Sequence, residues 1–308
     1  MPEPTAEPRR ATDRRGEVIG SGLTVLMAFQ FSFVVVLGKS LLTGGLPFVI
    51  LAIRFAITAA VLLLLLVTLR RPLLPAPGER LALVLAGTAG YGTEAAFYFA
   101  ALNHGSAAAI TLLFYVYPVI VMLATMAMDR RAPAGKLVAA LALAISGSVI
   151  VVVAGGGVEV QTLGIILALC CAAAYSAYLI ATDRFVKVTS PMTSACWLAG
   201  GACAANITFA AVFGDQVIPA TAADWWHVAL MGAFTVGAFL AMLAGLQRIG
   251  AVRNAIIGVL EPLSVALLAW AFLDEPIRAP IAIGGTLILG GAVLATLVRT
   301  TATAEPNV

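Results

Sequence analysis

The chain has little charge and almost no histidine. Asp, Glu, Lys and Arg make up 11% of its 308 residues, and only 2 residues are His, whereas roughly a quarter of a soluble domain is charged. Its 4 cysteines have no CxxC spacing, and the chain contains no HExxH motif, carboxylate cluster or serine with a His–acid partner set. We therefore expect no metal and no cofactor, and these absences argue against an enzyme.

Apolar residues dominate the chain instead, at 61%. They form long runs, each close to the roughly 20 residues that a membrane-spanning helix needs. The predicted spans are 17–39, 46–69, 80–102, 106–128, 135–153, 162–182, 191–213, 224–246, 251–273 and 278–299. Outside them lie a head (1–16), which we expect to be disordered and cytoplasmic, short turns and a tail (301–308). No room remains for a soluble catalytic or nucleotide-binding domain, and the head lacks the features of a signal peptide.

Positive charge is confined to alternate loops. If the N-terminus lies inside, one side of the membrane holds 15 of the 18 Lys and Arg residues, Arg278 lies on the other side, and Lys39 and Arg54 lie within spans. This distribution predicts that both termini are cytoplasmic and that the chain is a multi-pass protein of the cell inner (plasma) membrane. The lipid bilayer is then its partner. The net charge of +3 reflects topology, and we expect no nucleic-acid binding.

The chain repeats itself. Residues 98–149 align without gaps on 242–293 at a constant offset of 144, with Pro118 on Pro262. Each half holds five predicted spans, so the second half must be inverted relative to the first. We therefore predict an all-α polytopic fold of ten transmembrane helices in two inverted repeats, 17–157 and 158–300. Such repeats recur in secondary transporters, with the substrate site between the halves, and we expect the two prolines to kink their helices and act as hinges.

Three stretches carry a family resemblance. They are 260–277 (LEPLSVALLAWAFLDEPI), residues 31–55 from FSF through KS to AIRF, and 173–178 (AAYSAY). Together they resemble the EamA-type members of the drug/metabolite transporter superfamily, most closely the aromatic amino acid exporters. The resemblance implies ten helices in two inverted repeats, a central cavity among spans 1, 3, 4, 6, 8 and 9, and export of small metabolites. Tyr117 stands where the second repeat has Glu261, which is a departure from a motif with two carboxylates.

Four of the charged residues within predicted spans stand out. They are Lys39, Arg54, Glu94 and Glu261, and a charge in mid-bilayer costs about 3 kcal/mol or more unless it has a partner or a function. Polar residues also recur on single helix faces, as in Tyr91, Glu94 and Tyr98 at i, i+3 and i+7. The predicted binding residues are Gln30, Tyr91, Glu94, Tyr98, Thr111, Tyr115, Tyr175, Tyr178 and Glu261. A similar stripe in span 9 holds Asn254, Ile257, Glu261 and Ser264.

Each of these residues also has a structural interpretation. Arg54 and Glu94 could form a buried ion pair that joins spans 2 and 3. Glu261 could accept hydrogen bonds from backbone groups freed around Pro262, and Lys39 could anchor its helix at the interface as readily as bind a substrate carboxylate. The tyrosines could be ordinary packing residues.

The combined pattern predicts a secondary transporter that exports small molecules, namely amino acids, including aromatic and neutral ones. Substrate ammonium would face Glu94 or Glu261 while the two halves rock about the cavity. The alternatives are an exporter of cationic drugs or an exchanger of sugars or phosphorylated metabolites, although phosphate would require more buried bases. An intramembrane lipid enzyme would need clustered polar groups, and a channel would pass current without substrate saturation. For the oligomeric state we expect a monomer.

Overall fold

The computed structural model describes residues 14–41, 45–104, 110, 113–130, 132–153, 161–273 and 279–297. These residues form helices and no β-strand, which confirms the all-α prediction for them. The helices are α1 (Arg14–Leu41), α2 (Phe48–Thr68), α3 (80–101), α4 (Tyr117–Asp129), α5 (Gly135–Val153), α6 (Thr162–Phe185), α7 (Pro191–Phe213), α8 (Ala222–Gly258), α9 (Leu260–Leu273) and α10 (Ala279–Leu297).

Helix α3 is composite. It is α-helical over Arg80–Leu85, π-helical over Ala86–Gly92 and α-helical again over Thr93–Ala101. Short 3-10 helices, Pro77–Glu79 and Leu102–His104, flank it. Apolar chains in lipid must satisfy their backbone hydrogen bonds internally, which explains why nearly all of the described chain is helical.

Five helices in the described part of the chain are long and apolar enough to cross a membrane. They are Arg15–Gly38 within α1, then α2, α6, α7 and α8. Helix α4 covers only the second part of the predicted span 106–128, whose residues 106–109, 111 and 112 lie outside the described ones. The predicted span boundaries agree closely with α1, α2, α3, α5 and α6, but the count of ten spans stays a prediction.

Helix α8 contains the predicted boundary between spans 8 and 9. Gly250 lies inside it with φ 73° and ψ 168°, a left-handed φ that glycine adopts at little cost. The backbone leaves helical geometry at Gly250, and a break in the helix follows at Val259, before α9 begins. The predicted span 251–273 is therefore divided into two helical pieces, and its polar stripe does not stay on one face.

Many large apolar side chains lie on the outer surface, and several charged and polar ones are buried. Large apolar side chains such as Leu64 (62% exposed), Leu81 (70%) and Val212 (70%) point outward. Charged and polar side chains such as Arg54 and Asn206 are buried. Apolar outer surfaces of this extent are typical of contact with lipid.

The two halves of the chain interleave. Helix α1 packs along α8 and α9, α2 along α7 and α8, α3 along α6 and α7, α4 along α6, and α5 along α10. The helices of the two halves correspond in order, α1 with α6, α2 with α7, and so on to α5 with α10. If each helix is replaced by its counterpart, the contacts map onto one another: α1–α8 becomes α6–α3, and α1–α9 becomes α6–α4. The same packing scheme is thus used twice, as two related halves would produce.

A carboxylate joins the halves at each end of the α2–α7 pair. Glu79, in the connection after α2, accepts the backbone N–H groups of Lys187 (2.6 Å), Val188 (2.7 Å) and Thr189 (2.8 Å), which precede α7. We call this contact the Glu79 clasp. Asp215, just after α7, accepts the N–H of Val49 at the start of α2 (3.0 Å). In both contacts, a carboxylate that follows one helix of the pair accepts backbone N–H groups near the start of the other helix. Together the two contacts hold α2 and α7 to each other.

Candidate functional site

A cavity lined by aromatic and charged side chains lies among α1, α2, α3, α6 and α9, and we call it the central cavity. Its lining residues are Phe31, Val34, Val35, Arg54, Tyr91, Glu94, Ala95, Tyr98, Phe99, Phe114, Tyr175 and Glu261. The first predicted repeat contributes most of them, and the second contributes Tyr175 and Glu261. The centre of a water molecule can reach about 50 Å³ of it, which is room for a few waters. A larger ligand requires the walls to move.

The π-helical segment shapes one wall. Its glycines allow neighbouring helices to approach closely: a Cβ on Gly87 would lie 3.0 Å from the Leu198 carbonyl oxygen on α7, and one on Gly90 would lie 2.9 Å from Cβ of Tyr178 on α6. Thr93 spans the wide turn by donating its hydroxyl to the Thr88 carbonyl (3.1 Å). A π-helical turn is rare and often marks a functional site, and this one ends two residues before Glu94.

Three charged side chains face the central cavity. Arg54 is 2% exposed and Glu94 is 8% exposed, while Glu261 is half-buried. The ion pairs found among the described residues all involve other side chains, so the direct Arg54–Glu94 pair considered above does not form in this structure. Glu94 instead accepts a hydrogen bond from the Cys171 thiol on α6 (Sγ to Oε1, 3.5 Å).

The Arg54 guanidinium is surrounded by rings. Its Cζ lies 4.2 Å from the ring centroid of Phe55 and 5.8 Å from that of Phe99. The Tyr91 hydroxyl interacts with it as well, whereas its Nε has no hydrogen-bond partner. Aromatic faces and one phenol therefore contact the guanidinium directly, while the Glu94 carboxylate attracts it without forming an ion pair.

Aromatic rings form the rest of the wall. Tyr91 is stacked with Phe31, with ring centroids 6.4 Å apart, and Phe114 meets Tyr175 edge to face at 5.4 Å. Behind them, the Phe239 ring on α8 lies 4.7 Å from the Tyr91 ring. Helix α8 thus lies in a second layer behind the lining, although the resemblance implied that it lines the cavity. Helix α2, which the resemblance did not include, contributes Arg54 to the lining.

The predicted binding residues fall into three groups. Tyr91, Glu94, Tyr98, Tyr175 and Glu261 line the central cavity. The remaining described ones, Gln30, Tyr115 and Tyr178, lie outside the lining. Thr111 lies outside the described residues, and the side chain of Lys39 does so too. The binding roles of all these residues stay predictions.

The three residues outside the lining are close to it. The Gln30 amide packs against Gly237 of α8. Tyr178 and Tyr175 both direct their hydroxyls to Sδ of Met242, at 3.7 and 3.6 Å. The Tyr115 hydroxyl is buried and interacts with the Glu261 carboxylate.

One expectation for α8 and α9 was wrong. Asn254 does not share a cavity face with Glu261, because the helix breaks between them and Asn254 donates to the Thr24 hydroxyl of α1 (3.0 Å). Ser264 donates to the Leu260 carbonyl of its own helix (3.0 Å). The stripe was derived from an unbroken helical period, which the interruption at Val259 invalidates.

Both predicted hinge prolines lie just after a helix break. Pro118 is in the first turn of α4, which follows a turn at Tyr115 and Val116, and Pro262 is in the first turn of α9, which follows the turn at Val259. A proline in the first turn loses no helical hydrogen bond. The breaks occur at matching points of the repeats, and movement about them stays a prediction.

Sequence reasoning missed the phenylalanines that line the cavity and the thiol that meets Glu94. Phe31, Phe99 and Phe114 have no distinguishing signal, because phenylalanine in a membrane span is usually a packing residue. Cys171 gave none either. The sequence signal on this helix was the pair of glycines at 87 and 90, small residues that allow neighbouring helices to approach closely.

Comparisons with known proteins agree with this arrangement. The sequence profile of the EamA-like transporter family matches residues 18–153 and 162–297. A protein of Ancylobacter novellus named aromatic amino acid exporter YddG is 32% identical over 212 residues, which are 65% of this chain and 71% of that protein. An uncharacterized transporter of Archaeoglobus fulgidus is 26% identical over 201 residues, with the same shares of each chain.

The fold also has a solved counterpart. A crystal structure superposes with a TM-score of 0.76 at 23% identity, covering 92% of this chain and 98% of the other. At that identity the likeness concerns the fold alone. The two profile matches cover most of the sequence, one in each half. The chain therefore belongs to the EamA-like transporter family and is a membrane protein.

Proposed function

We propose that this transporter exports amino acids, including aromatic and neutral ones, through the central cavity by alternating access. The observation that carries the proposal is the composition of the cavity wall. Charges of both signs, Arg54 and Glu94 from one half and Glu261 from the other, stand among aromatic rings. Such a wall suits a small ligand with a charged head and an apolar body. The name of the Ancylobacter relative supports the same substrate class.

The proposed topology has ten membrane spans as two inverted repeats, with both termini in the cytoplasm. The bias of Lys and Arg toward alternate loops supports this orientation. The repeated packing scheme of the helices supports the relation between the halves. The location would be the inner (plasma) membrane, with a monomer acting without a cofactor.

Transport requires the cavity to change shape. Its present size admits a few waters, so a bound amino acid needs the halves to separate around it. The Glu79 clasp and the hydrogen bond from Val49 to Asp215 keep α2 and α7 together. The helix breaks before Pro118 and Pro262, in contrast, allow α4 and α9 to tilt. We propose that α2 and α7 act as a fixed pair while the other helices open the cavity to one side at a time.

The ligand would lie with its ammonium group toward Glu94 or Glu261. The ring faces of Tyr91, Tyr98 and Tyr175 would hold its side chain and add cation–π attraction. Two carboxylates in one cavity also favour an exporter of organic cations, which is the second candidate. A carrier of phosphorylated metabolites fits less well, since Arg54 is the cation of this lining.

Counterflow tests the proposal. Liposomes with the purified protein are preloaded with an unlabelled amino acid, and entry of labelled L-phenylalanine is measured without a proton gradient. We expect saturable entry that depends on preloading. Protein-free liposomes are the control. Entry of a labelled organic cation or a phosphorylated metabolite, with no entry of amino acids, would keep the transporter and overturn the substrate.

A further inference from the structure

Arg54 is a buried charge that forms no direct ion pair with the described residues, and the Glu94 carboxylate attracts it only through space. It is 2% exposed, it lines the central cavity, and its Nε has no hydrogen-bond partner. The ion pairs among the described residues do not include it. Phe55, Phe99 and the Tyr91 hydroxyl surround it, but neutral neighbours compensate for lost hydration less well than an anion does. A negatively charged group of a ligand would therefore bind favourably next to Arg54.

The two carboxylates restrict what that ligand can be. Glu94 and Glu261 face the same cavity, and they interact electrostatically with each other. A simple cation would leave Arg54 unpaired, and a simple anion such as a phosphate group would meet two negative side chains. A ligand that carries a carboxylate and an ammonium on neighbouring atoms can satisfy both signs in one place.

We propose that Arg54 binds the α-carboxylate of the transported amino acid and thereby excludes amines that lack one. This inference rests on the proposed function and adds the ligand class, a free α-amino acid zwitterion. The planar guanidinium offers two parallel N–H groups to a carboxylate, which a lysine ammonium cannot reproduce. Glu94, on the neighbouring helix α3, would take the ammonium, and the phenol of Tyr91 stands beside the same guanidinium.

The first test is competition in the counterflow assay with labelled L-phenylalanine. Unlabelled competitors are L-phenylalanine, phenethylamine, which lacks the carboxylate, and 3-phenylpropionate, which lacks the ammonium. We expect half-maximal inhibition by each fragment to require about 10- to 100-fold more compound than phenylalanine, the range for one charge-assisted hydrogen-bonded group. Equal inhibition by phenethylamine and phenylalanine would overturn the inference.

The second test uses variants of Arg54. Arg54→Gln should raise the half-inhibitory concentration of phenylalanine about 10- to 100-fold and leave that of phenethylamine unchanged. The matched control is Arg253→Gln, which removes another buried arginine, one that pairs with Glu17 (3.2 Å) away from the cavity. This control should lower the yield of folded protein and keep the wild-type ratio of the two concentrations. Equal weakening of both compounds by Arg54→Gln would show a structural role only and overturn the inference.

The outcomes separate the two proposals. Absence of phenylalanine counterflow by the wild-type protein contradicts the proposed function. Saturable counterflow that does not discriminate against phenethylamine contradicts the role of Arg54 alone. If Arg54→Gln does not fold, Arg54→Lys is the deciding variant, because it keeps the charge but loses the two parallel N–H groups of the guanidinium. A reduced preference for phenylalanine over phenethylamine then supports the inference, and an unchanged preference overturns it.

Discussion

Replacing Glu79 by Gln should destabilise the protein without touching the central cavity. Its carboxylate accepts backbone N–H groups from Lys187, Val188 and Thr189 at 2.6, 2.7 and 2.8 Å. These residues precede α7, so the contacts tie the connection after α2 to the other half of the chain. A glutamine side chain has the same length but one acceptor oxygen, and its NH₂ group would face a backbone N–H.

The size of the effect follows from these three hydrogen bonds. A hydrogen bond to a charged group contributes about 1.5–3 kcal/mol, and the glutamine oxygen retains part of the interaction. The clasp lies at the end of the helices, where water can replace some of what is lost. We therefore expect the free energy of unfolding to fall by about 1–3 kcal/mol, which corresponds to a decrease in Tm of roughly 1.5–5 °C for a chain of 308 residues.

The effect should depend on pH in a defined direction. Burial alone would raise the pKa of Glu79, but hydrogen bonds from the Thr189 side chain and from the N–H groups of Val188, Thr189 and Lys187 outweigh it and lower the pKa below its ordinary value of 4.5. A carboxyl group with a lowered pKa in the folded state stabilises the protein above its ordinary pKa. That contribution is lost as pH falls from 4.5 through the lowered pKa.

Thermal unfolding in detergent, followed by tryptophan fluorescence at pH 7 and at decreasing pH below 4.5, measures both effects. We expect Glu79→Gln to unfold earlier than wild type at pH 7, with the difference shrinking at low pH. The control is Asp129→Asn, which removes an exposed ion pair with Arg184 and should cost less than about 1 kcal/mol. An unchanged Tm at pH 7, or a difference that persists undiminished at low pH, would refute the reasoning.

Three further predictions concern transport and packing. Glu94→Gln should sharply reduce amino acid counterflow while thermal unfolding still shows a folded protein, and unchanged counterflow would remove Glu94 from the site. Gly201→Ala should lower the free energy of unfolding by about 1–3 kcal/mol, because its Cβ would lie 3.0 Å from backbone atoms of α3. Gly200→Ala is the control: a Cβ there would meet nothing within 4 Å, so this change should be neutral or stabilising in the same unfolding experiment. Arg253→Gln should cost about 3–5 kcal/mol, since it leaves the partly buried Glu17 without its arginine, and wild-type resistance to denaturant would contradict this.

Helix positions were largely predictable from the sequence, because apolar length and loop charge dictate them directly. The approximate bounds of α2, α6 and α7 follow from hydropathy alone. The break at Val259 was not predictable, since valine has no special backbone preference and an unbroken period was assumed through it. That single interruption separates Asn254 from Glu261.

The site was predictable in part, and the reason lies in chemistry. Arg54, Glu94 and Glu261 attract attention because charge inside a membrane is costly, and all three line one cavity. Their mutual arrangement depends on helix rotation and packing, so the missing Arg54–Glu94 ion pair could not be deduced. Glu79 gave no signal, because its partners are backbone groups more than 100 residues away, and backbone groups have no sequence signature.

Chemical blocking of the central cavity tests most directly that amino acids pass through it. Val35→Cys places a thiol in the lining, and Leu74→Cys places one on the surface as a control. Both are made in a protein whose native cysteines are replaced by serine, namely Cys170, Cys171, Cys196 and Cys203.

A membrane-permeant maleimide is then applied to proteoliposomes with and without phenylalanine. We predict that modification at position 35 stops phenylalanine counterflow, that phenylalanine slows this modification, and that modification at position 74 does neither. Counterflow that continues at the unmodified rate after complete reaction at position 35 would contradict the account.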